Sequence, residues 1–143
     1  MSRDPLEALL RLRKAAVDEA RRALAERLRA ESEATATVAA IESAITREAE
    51  VAADLAVGDA EVEAFGAWLQ RIRPKQRSAH AAGQDAETAT AQSRAVLGAA
   101  RAAVRAAEEM LERQAAAAQA KAQKSAQSAL DEVTQGRAVI KEK

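Results

Sequence analysis

The stretch Val51-Ala52-Ala53-Asp54-Leu55-Ala56-Val57-Gly58-Asp59-Ala60-Glu61-Val62-Glu63-Ala64-Phe65 decides the fold, because the seam pattern reverses inside it. Backward from Leu55, mostly small or apolar residues recur at alternating steps of three and four. They are Ala52, Glu48, Ile45, Ile41, Val38, Ala34, Glu31, Arg27, Leu24, Ala20, Val17, Arg13, Leu10 and Leu6. Forward from Val62 the same steps pass through Phe65, Leu69, Ile72, Gln76, Ala79, Gly83, Ala86, Thr90, Ser93, Leu97, Ala100, Val104, Ala107, Leu111, Gln114 and Ala118. A spacing that averages about 3.5 residues keeps one narrow stripe against a partner helix. Facing members have residue numbers that add to 117, as in Leu6 with Leu111, Ile45 with Ile72 and Leu55 with Val62. The mirror point is the Gly58-Asp59 step. The pattern therefore predicts an all-α fold, a long two-helix antiparallel coiled-coil hairpin with an overhanging C-terminal helix.

Local signals place the boundaries of a single coiled-coil domain over 1–143. Asp4 suits an N-cap with Pro5 at the first helical position, so helix one runs from about 4 to 57. At about 1.5 Å per residue that is a rod of about 80 Å. Gly58 suits a left-handed C′ position and Asp59 the N-cap of the second helix, giving a turn at about 58–60. Helix two is expected over about 60–135. Pro74 lacks an N–H and collides with the carbonyl of Gln70, which predicts a kink or break around Arg71 to Lys75. Gly83, Thr90 and Ser93 weaken the ladder, so the part between about Gln76 and Ser93 is expected to be the loosest of the seam. Gly136 is the expected stop, leaving a frayed tail at 136–143. Beyond about Arg113 helix two has no counterpart in helix one, and an alanine-rich single helix over Gln114 to Gln127 is only marginally stable alone.

Composition narrows the function. Of the 143 residues, 41 are alanine and only Phe65 and Trp68 are aromatic, so the seam is thin and no globular core can form. Twenty-two basic residues balance 22 acidic ones, which disfavours a nucleic-acid-coating role. Cysteine is absent, so there is neither a disulfide framework nor a thiolate metal site. The start shows no apolar leader core and no window approaches a membrane span, which reads as a soluble cytoplasmic protein. His80 is the sole histidine and the glycines are scattered, so no catalytic constellation, phosphate loop, metal site or cofactor site can be assembled. The chain is expected to be non-enzymatic.

Charge is segregated along the chain. Residues 1–30 carry eight basic and five acidic groups, 31–65 carry one and nine, and 66–80 carry four and none. Either the acidic and basic halves pair across the hairpin and set its register, or they face a partner. The cluster Phe65-Gly66-Ala67-Trp68-Leu69-Gln70-Arg71-Ile72 holds three ladder residues, Phe65, Leu69 and Ile72, for which seam packing is the simple reading. Trp68 sits off the ladder, on its flank. It either folds over the hairpin to cover Ala52 or Ile45, or serves as a binding anchor. Arg11, Arg13, Lys14, Arg21 and Arg22 gather near the open end, interleaved with Glu7, Asp18 and Glu19, so i,i+4 pairing explains part of that pattern.

The opening Pro5-Leu6-Glu7-Ala8-Leu9-Leu10-Arg11-Leu12-Arg13, with Val17-Asp18-Glu19-Ala20-Arg21-Arg22, resembles the start of the FliJ family of flagellar export proteins. The tail Glu109-Met110-Leu111-Glu112-Arg113-Gln114, then a spacer and Leu130-Asp131-Glu132-Val133, is similar to that family's Leu-x-x-Arg-Gln and hydrophobic-Asp-Glu-hydrophobic elements. Phe65 and Trp68 match its aromatic cluster after the bend. The resemblance implies a non-enzymatic stalk of the bacterial flagellar type III export apparatus, serving flagellum biogenesis and motility. It would sit in the cytoplasm, peripheral to the inner face of the cell membrane through partners only. The implied partners are a hexameric export ATPase and a membrane export gate protein, with export chaperones as a further option and no nucleic acid. By position, Arg11, Lys14, Arg21, Arg22 and Arg113 would meet the ATPase, and Phe65, Trp68, Leu69 and Ile72 the gate. Lys75 and Gln76 depart from this, standing where apolar groups would suit a gate surface. Two other readings compete: a generic coiled-coil scaffold, and a helical protein that coats lipid or granule surfaces.

Overall fold

A computed structural model describes residues 4–54, 56 and 58–141. It contains two α-helices, α1 (Pro5–Ala53) and α2 (Asp59–Lys141), and no strand among the described residues. The two long helices pack against each other as a helical hairpin, the fold the mirrored ladders predict. Contacts divide the chain into two units, one of Met1–Ala16 with Ala100–Lys143 and the other of Val17–Ala99.

In the first unit, α1 starts as its sequence dictates. The Asp4 carboxylate accepts from the Leu6 N–H at 3.0 Å, and the Asp4 carbonyl accepts from Glu7 and Ala8 at 3.1 and 3.2 Å. Those bonds satisfy donors that a helix start leaves open, while Pro5 has no N–H to satisfy. The seam of this unit centres on Ala107, only 2 % exposed, with Leu6, Leu10, Val104 and Leu111 half-buried. From Glu112 to Lys141 every residue is exposed, the overhang that the ladder arithmetic requires. Gly136 does not stop the helix. Its φ is not left-handed, and α2 runs on to Lys141. A glycine inside a helix costs about 1 kcal/mol relative to alanine, which weakens a helix without ending it.

The second unit holds the turn. Asp54 closes α1 by donating its N–H to the Val51 carbonyl at 3.2 Å, and its carboxylate accepts from Ala56 N–H at 3.0 Å. The Gly58 carbonyl then accepts from Glu61 and Val62 N–H at 3.2 and 3.4 Å. Gly58 is thus the cap of α2, rather than the residue that ends helix one, and Asp59 is the first residue of α2, one step past its expected cap role. Among the described residues no glycine has a positive φ. Leu55, the innermost seam position of helix one, and Val57 lie outside the described residues.

Pro74 lies inside α2, which continues through it without a break. Its missing hydrogen bond is offset by seam residues on both sides, Ile72 and Gln76, which are half-buried. On the exposed face the Arg73 guanidinium donates to Gln76 Oε1 at 3.0 Å, spanning the proline.

Burial reverses the expectation for the stretch from Gln76 to Ser93. Thr90 at 2 %, Ala79 at 9 % and Ser93 at 9 % are among the most enclosed residues of the molecule, whereas Phe65, Leu69 and Ile72 are only half-buried. Small side chains let two helices approach, and approach closes off water more completely than bulk does at an open two-helix seam. The Thr90 hydroxyl makes the point directly. It donates to the Arg27 carbonyl at 3.4 Å, across 63 residues of sequence, and these two numbers add to 117. Thr37, Thr46 and Thr134 instead donate to carbonyls four residues back in their own helices, at 3.0, 3.0 and 2.9 Å.

Charge pairing contributes little to the register. Among the described residues Arg21 forms an ion pair with Asp18 within α1 at 3.8 Å, and His80 Nε2 lies 3.1 Å from Glu42 Oε1 across the helices. Both are half-exposed, where such pairs add little. Among the described residues no lysine or arginine of segment 66–80 forms a salt bridge with the acidic segment 31–65, so apolar and small-residue packing holds the alignment.

Candidate functional site

Phe65 and Trp68 are one helical turn apart on α2 and therefore share a face. Their rings stack, with centroids 6.1 Å apart and planes inclined by 27°. They form one wall of an open groove of about 380 Å3, completed by Glu48, Val51 and Ala52 of α1 and by Glu61, Ala64 and Arg71 of α2. Trp68 shares this groove with Ala52 and remains half-buried. Trp68 is thus neither fully covered nor fully exposed. Leu69 and Ile72 do not line the groove and sit half-buried on the seam. Of the four residues singled out in this cluster, two build an accessible surface and two hold the helices together.

Glu48 and Glu61 rim the groove from opposite helices, and neither joins an ion pair among the described residues. The sequence carries a signal for these two carboxylates in its cross-helix pairing. Ala52 faces Phe65 and Glu48 faces Leu69 by the same sum of 117, so the carboxylate of Glu48 is placed beside the aromatic cluster.

The five basic candidates are all exposed. Arg11, Lys14 and Arg113 belong to the first unit, Arg21 and Arg22 to the second. Arg21 is tied to Asp18, so it offers less free charge than its neighbours do.

A further surface lies on the overhang. Leu130, Val133 and Ile140 are 62 %, 55 % and 76 % exposed, and they line an open depression of about 580 Å3 with Thr134, Arg137, Ala138 and Lys141. Leu130, Val133, Arg137 and Ile140 step by three and four, an amphipathic stripe for which no facing helix exists among the described residues. The ladder's alternating steps past Ala118 pass instead through Lys121, Ser125, Ser128, Glu132, Gln135 and Val139, so this stripe lies off the seam pattern.

Among the described residues there is no group of acidic or histidine side chains able to hold a metal ion, and no helix long and apolar enough to cross a membrane. The grooves are open troughs rather than enclosed clefts, which suits contact with another macromolecule better than capture of a small substrate.

The model of the family described as Flagellar FliJ protein matches residues 1–143, the entire chain. Neither a curated protein nor a solved structure matches it.

Proposed function

We propose, from the premise that this chain belongs to the flagellar FliJ protein family, that it is a stalk joining an export ATPase ring to the export gate. Membership makes the chain a component of flagellar protein export. In the finer reading, the unit containing both terminal segments enters the pore of a hexameric export ATPase. Arg11, Lys14 and Arg113 face the ring there, with Arg21 and Arg22 further along α1. The groove of Phe65 and Trp68 meets the gate at the membrane's inner face, and export chaperones remain further candidates.

One observation supports this most. Residues 112–141 continue α2 as an exposed helix bearing an apolar stripe, a surface that gains stability only when another molecule covers it. The proposed role is one of binding and coupling.

The test uses the full chain with a purified flagellar export ATPase hexamer. Co-sedimentation and a raised rate of ATP turnover are expected, both weakened by the paired substitutions Arg11→Glu and Lys14→Glu. A chain that neither binds the hexamer nor changes its turnover ends the stalk reading. The same exposed stripe favours one rival, a scaffold that self-associates through its tail. Sedimentation separates them, because a tight dimer dispersed by Leu130→Ser belongs to the scaffold.

A further inference from the structure

We infer that the groove of Phe65 and Trp68 takes a partner segment presenting an apolar side chain flanked by lysine or arginine; this rests on the reading that the turn end docks a gate. Its apolar lining consists of Val51, Ala52, Ala64 and the two stacked rings, and Val51 is 58 % exposed. Its rim carries a carboxylate from each helix, Glu48 and Glu61, and neither is neutralised by an ion pair among the described residues. The surrounding stretch 31–65 holds nine acidic residues against one basic. An acidic rim around an apolar floor repels an acidic or nucleic-acid ligand and attracts a cationic segment, and potential of this kind selects partners. Arg71 is the one base on the rim, so the cationic flank of the occupant points away from it, toward Glu48 and Glu61. The volume of about 380 Å3 suits one or two large side chains rather than a folded domain.

The overhang of this same chain carries Leu130, Val133, Arg137 and Ile140, so a second copy has roughly the required chemistry. A tail-to-groove contact between copies is head-to-tail, however, and unless its rotation closes a ring it propagates into fibres. A separate partner is therefore the occupant inferred.

Trp68 is the only tryptophan and there is no tyrosine, so the chain's tryptophan emission reports this groove alone. Two short peptides with the same leucine pattern, one flanked by lysines and one by glutamates, are titrated into the full-length chain. The lysine peptide is expected to shift the emission saturably and to bind about tenfold more tightly than its glutamate twin. Glu48→Gln with Glu61→Gln should remove most of that difference, as should salt well above physiological strength. Equal binding of the two peptides, no saturable shift with lysine, or indifference to the double substitution overturns the inference. An emission change on concentrating the protein alone also overturns it, placing a second copy in the groove. Binding of the gate's cytoplasmic part separates the two levels. Loss with Trp68→Ala but none with the double glutamine variant sinks the cationic partner and keeps the gate. Indifference to Trp68→Ala sinks the gate as well.

Discussion

Two stretches of α2 in the same unit, residues 100–111 and 112–141, are built from much the same residues and meet opposite fates. Ala107 is 2 % exposed, while Ala115 to Ala118, two turns further on, are all exposed. Helix propensity does not separate them, since alanine dominates both. What differs is a facing helix, which the first stretch has and the second lacks. Alanine here is a close-approach residue when something lies opposite and a helix former when nothing does.

The largest effect in a comparison of paired and unpaired positions is expected at Leu97, the most enclosed large side chain at 6 % exposure. Leu97→Ala should cost about 2–3 kcal/mol, the low end of the core range because an open seam can partly collapse. Leu130→Ala on the overhang should leave the denaturant midpoint nearly unchanged. Equal losses would mean that the tail is packed in solution.

Next comes Ala107→Leu, expected to destabilise by about 1–3 kcal/mol through overpacking, while Ala117→Leu stays within about 0.5 kcal/mol. Thermal melts of the two variants, read by circular dichroism, check the contrast. Smaller again is Gly136→Ala. Nothing stands within 4 Å of the added methyl, and its φ already suits alanine, so helix content should rise by an amount worth about 1 kcal/mol locally. Hydrogen exchange in residues 128–141 should slow, with no change in 100–111. The smallest effect is expected for Thr90→Val, which removes a long cross-helix hydrogen bond but keeps the shape. A loss of about 0.5–1 kcal/mol is expected, and none at all would assign the contact to packing only.

The hairpin was legible because a repeat of three and four sums evidence over many turns, and a local error cannot undo it. The pairing of Thr90 with Arg27 falls where the ladder arithmetic puts it. Features set by one residue were harder to read. Whether Gly58 adopts a left-handed φ, whether Pro74 breaks a helix and whether Gly136 ends one are each decided by about 1–3 kcal/mol, which packing or a long flanking helix can outweigh. The stretch 76–93 departs from expectation for a different reason. Poverty in large side chains predicts looseness, yet Thr90 and Ser93 are enclosed because they are small. At the groove, Trp68 was legible from its scarcity, whereas Glu48 and Glu61 required reading the facing helix alongside its partner.

The close approach at Thr90 has a calorimetric consequence. Helices that meet over alanine, serine and threonine conceal little hydrocarbon per turn, and hydration of newly bared hydrocarbon is what gives unfolding its heat capacity. The hairpin should therefore melt with a small heat-capacity increment for its length and a flat stability curve. Cold would threaten such a molecule less than it threatens a globule with a broad greasy interior.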